Sequence, residues 1–149
     1  MIYKLTLIII IAVILGTFVF SLTSRPPSNL GMKDGRLAAC PGSPNCVSSQ
    51  AADSEHAIAA ISVTGSSDDV LRKLEKTVLD MGGEISAKDG PYLHAVFKSR
   101  VFRFPDDLEC YYNAAAGQIE VRSAARLGYS DFSVNRKRVE HLRELMQQN

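Results

Sequence analysis

Tryptophan is absent from this sequence, and histidine is scarce and scattered at His56, His94 and His141. Cysteine is limited to Cys40, Cys46 and Cys110. A zinc site would need two further ligands at suitable spacing beside the first cysteine pair, so no metal is expected. No G-x-S-x-G frame surrounds Ser48, Ser49, Ser123 or Ser130, and no glycine-rich phosphate loop is present. The best-marked hydrolase and nucleotide-binding classes are thereby set aside, and no cofactor is expected. There is no internal repeat and no low-complexity tract. The formal net charge of +1 supplies no field that would draw the whole chain to nucleic acid, so no nucleic-acid partner is expected.

What is plentiful is apolar residue at one end. "LTLIIIIAVILGTFVFSL", residues 5–22, carries no charge. As a helix it rises about 27 Å, close to the hydrocarbon thickness of a bilayer. The reading adopted is an N-terminal transmembrane helix within residues 1–24, with the membrane as partner. A cleaved signal peptide is the first rival, but no Ala-x-Ala cut site follows. A buried soluble helix is the second, but the run has no polar face for water. Residues 25–36, rich in Pro, Ser and Gly, read as a linker. Residues 37–149 are enough for one domain with a single core.

Cys40 and Cys46 bracket the stiff loop "CPGSPNC". Six residues apart, they can close a disulfide, which persists in an oxidising compartment; two free thiols in an ordered loop is the other reading. The disulfide is adopted. Cys110 falls in a strand pattern and reads as a small buried hydrophobe. The stretch from Asn45 to Ala57 shows no periodicity. A first strand ends at Gly65. Ser66 or Ser67 then caps a helix whose apolar face is Val70, Leu71, Leu74, Val78 and Met81. Alternating strands follow: Leu93, Ala95 and Phe97 opposed to His94, Val96 and Lys98; Leu108, Cys110 and Tyr112 opposed to Glu109 and Tyr111; Ile119, Val121 and Ala125 opposed to Glu120, Arg122 and Arg126. A last helix over residues 134–146 carries Val139, Leu142 and Leu145 or Met146, with Asp131 or Ser133 as cap. The expected fold is α+β: an antiparallel sheet of about five strands, one face buried under two helices, preceded by the transmembrane helix.

Three fragments, "CPGSPNCVSS", "FRFPDDLE" and "VRSAARLGYSDFSVNRKR", together resemble one family, the bacterial and plastid-related group called DUF1499, a domain of unknown function. The matching positions are Cys40, residues 45–49, Phe104, Asp106, Asp107, Arg122, Ser123, Arg126, residues 128–131, Asn135, Arg136 and Arg138. Ala125 stands where serine is common. The resemblance covers residues 37–146 and implies a fold and a place to look, without an activity.

That place is the arginine cluster. Arg122 and Arg126 leave one face of a strand and repel each other unless anions intervene. The structural reading pairs them with Asp106, Asp107 and Asp131. The ligand reading gathers Arg122, Arg126, Tyr129, Ser130, Asn135 and Arg136 around a helix N-terminus that holds a small anion. Lys137 and Arg138 are assigned to the solvated face of the helix. Asp106 and Asp107 are adjacent and point to opposite faces, which is poor geometry for an acid–base pair, and no catalytic residue is assigned. The expected function is a non-enzymatic binding or envelope-associated module, anchored in a bacterial inner membrane with its domain on the periplasmic side. Its partner would be a small anion or an envelope protein. The alternative is a small envelope hydrolase using the Arg/Asp cluster.

Overall fold

The computed structural model describes residues 2–22 and 24–148; Met1, Thr23 and Asn149, which the domain limits above include, lie outside the described residues. Helix α1 (Ile2–Leu22) comes first, then the short strands β1 (Cys46–Ser48) and β2 (Ile61–Ser62). Helix α2 (Ser67–Asp80) leads into four strands: β3 (Glu84–Asp89), β4 (Tyr92–Lys98), β5 (Pro105–Asn113) and β6 (Gln118–Ala125). Helix α3 (Val134–Gln147) ends the chain. The sheet is antiparallel, in the order β1-β6-β5-β4-β3, with β2 also paired to β6.

The transmembrane helix is corrected here. Among the described residues no helix is long and apolar enough to cross a membrane. Helix α1 carries Lys4 near its start, and Thr6, Gly16 and Thr17 interrupt its large apolar side chains. Thr17 Oγ1 turns back onto the carbonyl of Ile14 at 2.9 Å.

Helix α2 forms where its sequence directs. Ser66 caps it by accepting from the Asp69 N–H, and Asp68 and Asp69 sit at its positive end. Val70, Leu74 and Val78 are buried from α2, and Val139, Leu142 and Met146 from α3. Together they meet Leu93, Ala95, Phe97, Leu108, Cys110, Ile119 and Val121 of the sheet in one core. Gly83, just after α2, leaves no room for a side chain: a Cβ there would lie 2.8 Å from the Phe97 ring.

Two features differ from the expectation. The sheet has a sixth strand, β1, whose three residues are too few to show a period. The opposite face of the sheet is also buried: Glu109, Asp107, Arg122 and His94 are all 4% exposed or less. What covers it is the segment read as a linker. The Gly31 N–H donates to Glu109 Oε1 at 2.7 Å, Arg126 Nη1 donates to the Ser24 carbonyl at 3.2 Å, and the Leu37 N–H donates to Gln50 Oε1 at 2.8 Å. Residues 24–37 therefore form a strap over the polar side of β4, β5 and β6.

Cys40 and Cys46 are joined by a disulfide, with Cα atoms 5.7 Å apart, while Cys110 is free and buried. The bond fastens the end of the strap to β1. Its reduction is expected to cost about 2 kcal/mol, the chain-entropy value for so short a loop. Thermal unfolding with and without reductant checks this. Cys110 should resist alkylation until the chain unfolds, because burial and the neighbouring Glu109 push its thiol pKa up.

Candidate functional site: a two-sided ion-pair layer

Register explains why the acids and arginines come as a set. Glu109 of β5 lies opposite Arg122 of β6, and Asp107 lies opposite Ala124, two positions before Arg126 and so on the same side of the sheet. Arg122 Nη1 donates to Glu109 Oε2 at 2.9 Å. The other Glu109 oxygen accepts from the Tyr92 hydroxyl at 2.8 Å as well as from Gly31. Arg126 grips Asp107 with two bonds, Nε to Oδ2 at 2.8 Å and Nη2 to Oδ1 at 2.7 Å, and His94 Nε2 lies 2.7 Å from the same Oδ1. Burial opposes ionisation of Asp107, but His94 and Arg126 outweigh it and hold the carboxyl below its ordinary range. For Tyr92, burial and then Glu109 push the phenol pKa well up, so it stays a donor.

The alternation that sends Asp107 to the strap side sends Asp106 to the helix side. There Arg138 Nη2 donates to Asp106 Oδ2 at 2.6 Å, and its guanidinium carbon lies 4.7 Å from the Phe97 ring centroid. Burial raises the Asp106 pKa against the pull of Arg138. Arg138 also donates to Ser123 Oγ and Asn135 Oδ1. Asn135 accepts from Ser123 Oγ at 2.6 Å and donates to the Asn45 carbonyl at 3.2 Å. Arg138, assigned to the solvated face, is thus an internal residue that ties α3 to the sheet; Lys137 is exposed.

The six residues proposed to hold an anion do not converge. Arg122 and Arg126 are engaged by acids under the strap, and Asn135 is fully buried on the helix side. Arg136 donates to the carbonyls of Ala57 and Glu55 at 2.8 and 2.9 Å. Tyr129 and Ser130 are exposed on the "GYSD" turn. Asp131 takes the free N–H groups of α3: Oδ2 accepts from Asn135 at 2.8 Å and Oδ1 from Ser133 at 3.0 Å. Asp131 is thus the residue that satisfies the start of α3, and Ser133 makes no side-chain cap bond. Of the three acids, Asp107 and Asp106 pair with arginines and Asp131 serves the helix. Sequence reasoning missed Glu109, Tyr92 and Asn45. The signal for Glu109 was present, since the alternation placed it on the same side as Arg122.

Asn45 reveals how the disulfide loop is used. Its Nδ2 donates to the Gly128 carbonyl at 2.6 Å, and its own carbonyl accepts from the Ala125 N–H at 2.9 Å. The loop is held from its other side by His56, a buried ring between two acceptors: Nδ1 lies 2.7 Å from Asp53 Oδ1 and Nε2 3.2 Å from the Ser43 carbonyl. The protonated ring satisfies both. Burial alone would lower the His56 pKa, but Asp53 and the Ser43 carbonyl raise it overall. A raised native pKa means this stabilisation is complete below the unfolded value of about 6.5 and is lost as pH rises through the native value. Urea midpoints measured across that window should fall with rising pH, and His56→Gln should flatten the slope.

A cavity of about 740 Å³ lies between the strap and the residues that follow β1. Leu30, Met32 and Leu37 give it apolar wall, and Lys33, Arg36 and Gln50 give it polar edge. Asp34 and Gly35, both at positive φ (51° and 75°), make a tight two-residue turn closed by paired bonds between Lys33 and Arg36. The turn sets the two cations side by side. Arg36 Nη2 reaches the Gln50 carbonyl at 3.2 Å, and Lys33 has no ion-pair partner among the described residues. Among the described residues no group of three or more His, Cys, Asp or Glu is placed to hold a metal.

The fold and this layer define a small α+β protein whose sheet carries buried charge on both faces, locked by a strap on one and a helix on the other. The chain belongs to the family described as "Protein of unknown function (DUF1499)", whose model matches residues 36–146. No curated protein and no solved structure matches it.

Proposed function

We propose that this chain is a non-enzymatic binding module of an oxidising, extracytoplasmic compartment, and that its ligand is a small molecule with a carboxylate or phosphate beside an apolar body. The cavity under the strap carries the reading. Its volume of about 740 Å³ falls among those of small-molecule sites, roughly 300–1,000 Å³. Its lining offers apolar wall with Lys33 and Arg36 at one edge; of its two acids, Asp53 is engaged by His56 and Asp34 sits in the turn between the two cations. The Cys40–Cys46 bond supports the oxidising compartment in this reading. A hydrolase built on the Arg/Asp cluster is disfavoured because Asp106, Asp107 and Asp131 each already accept from the protein's own donors.

The test is thermal shift with inorganic phosphate, succinate and octanoate. A binding probe raises Tm in proportion to the logarithm of its concentration. Lys33→Ala with Arg36→Ala should abolish the rise and leave the unliganded Tm nearly unchanged, since both side chains are exposed. No rise with any of the three, or a rise that survives the double substitution, would overturn the reading.

A further inference from the structure

One end of the sheet displays apolar side chains that the fold makes no use of. The loop joining β4 to β5 carries Val101, 74% exposed, and Phe102, whose ring stacks on Phe104 at 5.4 Å. The loop joining β6 to α3 carries Tyr129, 76% exposed, and Phe132, 86% exposed, and the exposed Val134 opens α3. Both loops leave the same end: the Arg126 N–H donates to the Pro105 carbonyl, and Asp106 pairs with Ala125. Phe132 and Ser133 stand at positive φ, 53° and 63°. A bulky non-glycine residue in that region is strained, and such strain persists where the surroundings impose it. Here the strain holds a phenyl ring out in water.

The cations at this end that lack an ion pair among the described residues are three, Arg25, Arg100 and Lys137, all of them exposed. The acids are engaged: Asp106 by Arg138, Glu84 by Lys98, and Asp131 by the N–H groups of α3. Helix α1, whose described apolar side chains are exposed, is followed within two residues by Ser24, and Arg126 ties the Ser24 carbonyl to this same end.

We propose that this end of the domain docks on an anionic lipid surface, with Phe102, Tyr129 and Phe132 entering the headgroup layer and Arg25, Arg100 and Lys137 facing lipid phosphates. Aromatic rings favour that interface, and separate loop tips flanked by cations suit a soft, negatively charged layer better than a rigid protein groove. The contact is peripheral and needs no helix to cross the bilayer.

The absence of tryptophan makes the test clean. Phe132→Trp in the full chain places one reporter on the loop, and Thr64→Trp places a control beyond β2 at the opposite end. Vesicles of phosphatidylcholine with phosphatidylglycerol should blue-shift the emission of Phe132→Trp and allow its quenching by brominated lipid, while Thr64→Trp stays unchanged. Arg100→Glu with Lys137→Glu, added to Phe132→Trp, should weaken the vesicle response at least about tenfold. Unshifted emission from Phe132→Trp in a chain that sediments with vesicles would overturn the proposal. So would a blue shift that needs no vesicles and grows with protein concentration, which would assign this end to a second copy of the chain.

Discussion

Arg126→Ala is expected to lower the melting temperature of the domain by at least about 10 °C. Breaking a buried pair by removing one partner costs roughly 3–5 kcal/mol, and each kcal/mol is a few degrees in a domain of this size. The reason lies with the residue left behind. Asp107 is 1% exposed and loses two of its three bonds, keeping only His94. The strap loses its tether at Ser24 in the same step. Arg126→Lys should fall between, since an ammonium keeps the charge and cannot make the two-pronged contact. The acid side of the stability curve supplies a second readout. Asp107 has a depressed native pKa, so its contribution is present above the unfolded value of about 3.9 and is lost as pH falls through the native one. Asp106, with a raised pKa, gives a slope of opposite sign. Removing Arg126 should therefore flatten the acid-induced loss, read as urea midpoints between about pH 5 and 2. A variant that melts within a couple of degrees of the wild type would show that the pair is solvated in the native protein.

How far the sequence foretold this layer depends on how local each cause is. The caps and apolar stripe of α2, the alternation of β4, β5 and β6, and the Cys40–Cys46 loop are written in neighbouring residues, and the structure has them there. That Arg122 or Arg126 would pair with one of Asp106, Asp107 and Asp131 followed from charge and strand geometry, and in the structure Arg126 pairs with Asp107. The burial of the polar face did not follow. It is caused by residues 24–37, which lie far away in sequence and whose Pro, Ser and Gly content is also that of a free linker. Arg138 was misplaced for a related reason. Its charge put it on the solvated face of α3, and only the sheet register brings Asp106 and Phe97 beneath it. The uncharged run in α1 was legible as apolar, whereas its interruption by Thr6, Gly16 and Thr17 was given too little weight.

Glu109→Ala is expected to be at least as damaging as Arg126→Ala, and to act on the cavity as well. Glu109 is fully buried and accepts three bonds, from Arg122, Tyr92 and the Gly31 N–H. Its removal leaves a guanidinium that is 4% exposed without a counter-charge, and Arg122 Nε already lacks a partner. An uncompensated buried charge and two orphaned donors point to the upper part of the 3–5 kcal/mol range. If the cost is the stranded charge, then deleting the charge should recover much of it. Arg122→Met combined with Glu109→Gln should be more stable than Glu109→Ala alone, because a neutral pair of similar volume has no desolvation to offset. Glutamine keeps a carbonyl for the Gly31 N–H, so this double variant also separates charge from strap. Hydrogen exchange at the Gly31 amide should speed up sharply in Glu109→Ala and little in the double variant. Since Leu30, Gly31 and Met32 wall the cavity, the thermal response to phosphate or carboxylate probes should vanish only where that amide is released. Equal stability of the single and double variants would place the cost in lost packing; an unchanged Gly31 amide in Glu109→Ala would show that the strap is held by its other contacts, at Leu37 and the disulfide.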